Sequence, residues 1–166
     1  MQKRTLFFVM VLSAAIASTG CAVRAIKSTE TGDPKAEKRV LIATQRSEFK
    51  EAVVSRVLEV LERDMCYVKV IDLKELEREP AGSYDAVVVV NTCKAWSLSQ
   101  RASSFVKQFP YKERVVLLTT AGGGDWMPKS VEVDAITSAS KAYKVDPVAD
   151  EIFGKVHKIL NPEPAP

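Results

Sequence analysis

The sequence predicts an α/β domain in which helices cover both faces of an open sheet of parallel strands. Short apolar runs alternate with amphipathic helical patterns between residues 39 and 160. Two of the runs, 84–91 and 114–120, consist largely of Val and Leu. Such runs are typical of strands buried on both faces, as in parallel sheets. With 166 residues, 46% of them hydrophobic and 27% charged, the chain is long enough for one core of this kind.

The first half of the domain is predicted to contain two strands and the helix between them. The first strand covers 39–44, and Ser47 can cap the helix that follows. The apolar positions of that helix fall on one stripe. They are Phe49, Val53, Val54, Val57, Leu58, Val60 and Leu61. The second strand, 66–73, contains Lys69 and Asp72, so we expect one of its sides to face water.

The second half continues the alternation with five further elements. They are a strand at 84–91, a helix at 98–109, a strand at 114–120, a strand at 131–136 and a helix at 147–160. Only residues 121–130 join the last two strands, which is fewer than the dozen or so that a parallel crossover usually takes. We therefore expect a bare, Gly-rich loop at that position.

Strand polarity predicts the order of the five strands. The second and fifth tolerate water and belong at the edges, while the first, third and fourth belong in the middle. The order 2-1-3-4-5 meets both demands. In this order, and across residues 39–160, the chain resembles the flavodoxin family. The resemblance implies a flavodoxin-like open parallel five-stranded sheet with helices on both faces.

The N-terminus resembles the signal peptide of bacterial lipoproteins. Two basic residues precede an apolar stretch at 6–17, which is short for a membrane span, and Gly20 and Cys21 match the end of a lipobox. The resemblance implies that residues 1–20 are removed and that Cys21 carries palmitate-type acyl chains. Because Ala22 follows the cysteine, it also implies an outer-membrane anchor facing the periplasm. Ser18 stands where the lipobox usually has Leu, which leaves open a plain secretory peptide with Cys21 as a free thiol.

Two segments outside the domain are predicted to lack regular structure. Residues 21–38 have no apolar period and are interpreted as the lipidated cysteine with a flexible tether. Residues 161–166 contain three prolines and are interpreted as a disordered tail.

The charge balance argues against nucleic-acid binding. The whole chain has 24 basic and 21 acidic residues, a net charge of +3. Removal of residues 1–20 takes away Lys3 and Arg4 and no acid, which leaves 22 against 21. A nucleic-acid-binding domain normally carries a clustered basic footprint, and this near-neutral balance gives no sign of one. The expected partner is the membrane, which the protein would reach through the lipid on Cys21.

The loop after the first strand is a candidate anion site. Ligands of open parallel sheets lie outside the carboxyl ends of the strands, where the strand order reverses. At that point Thr44, Arg46 and Ser47 offer two hydroxyls and a permanent charge at a helix N-terminus, which favours phosphate. Glu48 and Glu51 occupy the same potential, so a well-capped helix without a ligand stays the alternative.

The two tryptophans carry the strongest functional indication. Trp96 and Trp126 fall in two loops at the predicted carboxyl edge. The flavodoxin resemblance places these loops on either side of the flavin ring, which implies stacking on non-covalently bound FMN. The backbone groups of further residues in these loops are expected to contact the cofactor. They are Asn91, Thr92, Thr120, Gly122 and Gly123. The alternative is that each Trp merely closes the top of the core.

Ser140 and the cysteines raise further alternatives. Residues 134–140 weakly resemble the motif by which periplasmic FMN-binding domains attach flavin covalently, which implies Ser140 as acceptor, although Ser138 stands at the motif's glycine. Cys93, beside Lys94, could be a redox thiol or a buried inert one. Cys66 is predicted ~17 Å away at the other end of the sheet, too far for a disulfide. With a single histidine, no metal site is predicted.

Two functions therefore stay open. One is a lipid-anchored periplasmic protein that binds FMN or a similar planar phosphorylated ligand for electron transfer with a redox partner. The other is a cofactor-free flavodoxin-like protein with a binding or structural role.

Overall fold

The computed structural model describes residues 26–129 and 131–163. The predicted signal peptide and the lipidation site at Cys21 lie outside the described residues. In the described part, no helix is long and apolar enough to cross a membrane.

The described residues form one mostly parallel sheet with three α-helices. The strands are β1 (Thr29–Thr31), β2 (Arg39–Thr44), β3 (Tyr67–Asp72), β4 (Ala86–Thr92), β5 (Val115–Thr120) and β6 (Asp134–Ser138). The helices are α1 (Glu48–Arg63), α2 (Gln100–Gln108) and α3 (Val145–Leu160). The sheet order is β1-β3-β2-β4-β5-β6, in which only β1 is antiparallel to its neighbour.

The predicted count of five strands is wrong by one, because β1 adds a sixth strand at the edge. Without β1, the remaining strands follow the predicted order. Thr29–Thr31 pairs with Val68–Val70, inside the range predicted as tether. Gly32, with a φ of +81°, turns the chain so closely over β3 that a Cβ there would overlap the carbonyl oxygen of Cys66. Three mostly exposed residues held by backbone pairing give no hydrophobic period from which to predict a strand.

The other predicted elements are found within a few residues of their expected bounds. The fifth predicted strand, 131–136, is displaced and lies at Asp134–Ser138. Val131 and Val133 pack against the core from the preceding loop, so their alternation reflects burial without strand pairing. Among the described residues between β5 and β6 there is no helix, which confirms the expected bare loop.

Each face of the sheet has its own core. On one face α1 and α3 pack against alternate residues of the strands, such as Val40, Ile42 and Val88. On the other, α2 covers the complementary set, such as Leu41 and Val89. This alternation follows from the period of two along a strand. Both faces are filled, so the carboxyl edge is left as the place for a site.

The two described cysteines lie where the strand order predicts. Cys66 is buried just before β3, whereas Cys93 follows β4 and is half-buried. Both are free thiols. Because β3 and β4 run parallel with β2 between them, the two thiols are at opposite ends of the sheet.

Candidate functional site

Polar side chains end the otherwise apolar strands at the carboxyl edge. Thr44 ends β2, Thr92 ends β4, Thr120 ends β5 and Ser138 ends β6. Thr92 pairs with Thr120, and Thr120 pairs with Ser138. Parallel pairing therefore aligns the last residues of β4, β5 and β6, and Thr44 lies beside Val90 on the other side of β4, at the point where the strand order reverses.

Several predicted site residues use their side chains at this edge. The buried Asn91 donates from Nδ2 to Thr119 Oγ1 (3.2 Å) and accepts the backbone N–H of Ser99 (3.0 Å). Thr120 Oγ1 donates to the carbonyl oxygen of Asn91 (3.3 Å). Asn91 thus ties β4 to β5 and fixes the start of α2. These groups hold the loops of the site in place.

The first loop has the geometry of a capped helix. Ser47 Oγ accepts the backbone N–H of Lys50 (3.3 Å), which is an N-cap bond. The Thr44 hydroxyl is buried and donates to the carbonyl oxygen of Gln45 (3.2 Å). Arg46 Nε lies 3.3 Å from a carboxylate oxygen of Glu51. The two hydroxyls predicted to bind phosphate are therefore engaged within the protein.

A tight hairpin after β4 presents the first tryptophan. Lys94 and Ser97 exchange two backbone hydrogen bonds (3.0 and 3.1 Å) around Ala95 and Trp96, whose φ angles are +48° and +60°. Such a two-residue turn normally takes Asn or Gly because both φ angles are positive. The Trp96 side chain at its tip is 82% exposed. Strain of this kind, used to expose a large aromatic, is typical of functional loops.

The second tryptophan lies in the same cleft as the first. A cleft of about 540 Å³, here called the Trp cleft, lies between α2 and the loops after β4 and β5. Its lining includes Trp96, Leu98, Val106, Trp126, Pro128 and Val131. Ser97, Ser103, Lys107 and Lys129 complete the lining. The structure therefore places the two side chains predicted to flank a planar ligand in one cleft, among apolar and polar groups.

A second cleft, here called the cationic cleft, lies beyond the hairpin. Its volume is about 450 Å³. Its charged lining residues are Arg46, Lys50, Asp72, Lys74, Lys94 and Arg101. Of these, sequence reasoning singled out only Arg46 as a binding residue. The others come from α1, the end of β3, the hairpin and α2, and no local motif joins positions so far apart.

Lys50 is the unusual group of the cationic cleft. Its side chain is almost fully buried, and Nζ donates to Thr92 Oγ1. Burial, aided by the positive charge of Lys94, lowers the pKa of Lys50 from 10.5 to about 8. Asp72, whose two carboxylate oxygens accept the backbone N–H groups of Ile26 (3.1 Å) and Lys74 (2.9 Å), forms no ion pair with Lys50.

The Gly-rich loop after β5 constrains the chain at a different glycine from those predicted. Gly122 and Gly123 are exposed, and a Cβ at Gly122 would meet nothing within 4 Å. Gly124, with a φ of +76°, packs against β6 so closely that a Cβ would lie 2.8 Å from the backbone nitrogen of Ala139. Gly124 thus sets the path of the loop that carries Trp126.

The remaining candidates lie near the edge without a shared constellation. The Cys93 backbone N–H donates to the carbonyl oxygen of Thr120 (2.8 Å). Ser140 is exposed beyond the end of β6. Within 26–129 and 131–163, no group of three or more His, Cys, Asp or Glu residues is placed to hold a metal ion.

Comparison with known proteins supports the fold. The sequence matches no protein-family model and no curated protein. Solved structures that resemble it include mutant forms of a flavo di-iron protein from Thermotoga maritima. One has 15% identity and a TM-score of 0.53 over 78% of this chain, and another has 14% and 0.50 over the same share. This chain spans 37% and 38% of those proteins. Together with the sheet order, these likenesses support an α/β fold of the flavodoxin-like kind.

Proposed function

We propose that the carboxyl edge binds a planar phosphorylated ligand of the FMN class without a covalent bond, and that the protein serves in electron transfer. The observation that carries the proposal is the Trp cleft. Trp96 and Trp126 come from separate loops, yet they line one cleft together with apolar side chains. Stacking on such faces excludes water from a flat ring.

The Trp cleft fits the ring of such a ligand, whereas the loop after β2 fits its phosphate less well than the sequence predicts. The Thr44 hydroxyl donates to the carbonyl oxygen of Gln45, and Ser47 Oγ accepts the N-cap bond from Lys50, so both predicted phosphate ligands also have a structural role. The cationic cleft begins at the same loop with Arg46 and adds Lys50 and Lys94. Since Lys94 belongs to the hairpin that carries Trp96, one ligand can place its ring in the Trp cleft and its phosphate against these cations.

A bound flavin would supply one- and two-electron transfer. The residues of this chain would bind and orient it: Trp96 and Trp126 would cover the ring and Lys94 would attract the phosphate. The neighbouring solved structures are named as flavo di-iron proteins, which agrees with this proposal at the level of the fold.

The direct test is the colour of the protein purified from a flavin-replete host, followed by titration with FMN. We expect flavin absorbance in the purified protein, or saturable binding at ~10 µM FMN or below. The variant Trp96→Ala/Trp126→Ala should bind FMN more weakly. Tyr143→Ala is its matched control, because Tyr143 is 75% exposed and lies outside both clefts. A colourless protein that binds no FMN over that range would reject the proposal.

A cofactor-free role is the second candidate, and a specific observation favours it. Ser47 caps α1 and Asn91 links β4, β5 and α2, so the side chains of two predicted cofactor-binding residues already hold the fold together. In that case the Trp cleft would bind a partner protein, and the FMN titration above would be negative.

We further propose that lipid on Cys21 holds the domain at the outer membrane, facing the periplasm. The support is the sequence pattern of residues 1–21. Metabolic labelling with a palmitate analogue, compared between the natural chain and Cys21→Ser, tests it. Equal labelling of the two would reject the anchor.

A further inference from the structure

We propose that the cationic cleft binds a diphosphate group, so that the ligand of this edge is a diphosphate-bearing nucleotide with two adjacent phosphates. This inference deepens the proposed function and rests on it for the planar part of the ligand. The diphosphate itself is inferred from the charges of the cleft alone.

The first observation is the excess of positive charge around the cleft. Leaving aside Arg46, which lies beside Glu51, the lining contains four cations: Lys50, Lys74, Lys94 and Arg101. Asp72 is the one acid that lines it, and backbone N–H groups occupy both of its oxygens. Four positive charges against one negative leave an excess of three, whereas the mature chain as a whole is almost neutral.

The second observation is the position of Lys50 at the wall of the cleft. A buried charge is normally paired, because its transfer from water costs several kcal/mol. Among the described residues Lys50 forms no ion pair, and its Nζ donates a hydrogen bond to the hydroxyl of Thr92. Lys94, the charge that most affects it, has the same sign. An anion in the cleft would supply the missing countercharge.

The amount of charge distinguishes a diphosphate from a single phosphate. A phosphate monoester carries about −1.5 to −2 at neutral pH, which is less than the excess of the cleft. The cations also arise from four separate segments around about 450 Å³, a space within the range of whole ligand sites. A terminal diphosphate, as in a nucleoside diphosphate, adds about one negative charge to that of the monoester and so matches the excess of the cleft, whereas the diphosphate bridge of a dinucleotide does not.

The experiment is a calorimetric titration of the full chain in detergent with matched pairs of anions. The pairs are phosphate and pyrophosphate, and AMP and ADP; FMN and FAD, which carry nearly equal charge, are titrated beside them. We expect the diphosphate of each pair to bind at least ten times more tightly. Lys94→Ala and Arg101→Ala, both at exposed positions, should each weaken pyrophosphate about tenfold, since each removes a charge-assisted contact. Lys158→Ala removes an exposed charge of α3 outside the cleft and should change nothing.

The outcomes separate this inference from the proposed function. Tighter FAD than ADP would identify a dinucleotide as the source of the diphosphate, and the reverse a nucleoside diphosphate. If FMN binds but no diphosphate binds more tightly than its monophosphate, the inference is overturned and the flavin proposal stands. If pyrophosphate binds and no flavin does, the flavin proposal fails and the diphosphate site stands. Equal pyrophosphate affinity in Lys94→Ala, Arg101→Ala and the natural protein would overturn the inference.

Discussion

The Trp cleft and the cationic cleft lie on the same edge of the sheet, and they differ in almost every physical respect. The Trp cleft is lined mostly by apolar side chains of two loops and α2, with Lys107 and Lys129 among them, whereas the cationic cleft is lined by cations from four segments. The hairpin of Lys94–Ser97 contributes to both. The difference indicates a ligand with one flat apolar end and one strongly anionic end.

The two clefts are alike in one respect: each contains a feature that lowers the stability of the fold. In the hairpin, Ala95 and the exposed Trp96 both have left-handed backbone angles. At the sheet edge, Lys50 is buried without an oppositely charged partner. Each cleft therefore contains a feature that burial or backbone preference disfavours. Natural folds keep such features mostly where they serve a function.

Removal of both indole rings should have the largest effect. In Trp96→Ala/Trp126→Ala, FMN affinity should fall about 100-fold, because each stacked aromatic contributes ~1–3 kcal/mol. Flavin fluorescence measures it, since the variant has no tryptophan left. Pyrophosphate affinity should stay unchanged, and an equal loss of both ligands would show that the two clefts are not separate.

Lys50→Met should stabilise the protein by on the order of 2 kcal/mol at neutral pH. The folded-state pKa of Lys50, about 8, lies below its ordinary 10.5, so the unfolded chain binds more protons between these values. The free energy of unfolding should therefore rise as pH rises from about 8 to 10.5 in the natural protein. The polar and charged groups that share the cleft with Lys50 are Thr92, Lys94, Asp72 and Arg46.

Chemical denaturation at a series of pH values measures this, and Lys158→Met is the matched control. The pH slope should disappear in Lys50→Met and persist in the control. A Lys50→Met protein less stable than the natural one at every pH would contradict a desolvated, uncompensated lysine.

Gly124→Ala should destabilise the fold by about 1–3 kcal/mol, because its φ of +76° and its approach to Ala139 leave no place for a Cβ. Gly122→Ala, with open space around it, is the control and should be close to neutral. Thermal unfolding compares them. Equal stability would mean that Gly124 does not set the path of the Trp126 loop.

Ala95→Gly should have the smallest effect, a stabilisation below about 1 kcal/mol. Glycine adopts the φ of +48° at this position without strain, but it gains entropy in the unfolded chain, and the two effects partly cancel. The denaturation midpoint measures the sum. A clear loss of stability would show that the hairpin turn is not strained at Ala95.

The central sheet could be predicted from the sequence because its strands are buried on both faces. The strand at Ala86–Thr92 and the cap at Ser47 follow from composition and local chemistry. β1 could not be predicted, since backbone pairing with β3 holds it and its side chains are mostly exposed. The displacement of β6 arose because Val131 and Val133 are partly buried without being paired.

The site was predictable to a similar, partial degree. Rarity and loop position were enough to select Trp96 and Trp126, and the structure places both in one cleft. The cationic cleft could not be predicted, because Lys50, Lys74 and Arg101 meet only through the fold. Lys50 even lies in a helix where charged residues are ordinary, and nothing in its neighbours in sequence indicates burial.

The most direct test of a ring held between the two tryptophans is the NMR spectrum of their indole N–H groups during titration with FMN. The chain has two tryptophans, so two indole signals report on the Trp cleft. We predict that both signals shift together and give one dissociation constant. If FMN shifts neither signal, or only one of them, the two rings do not flank a common planar ligand.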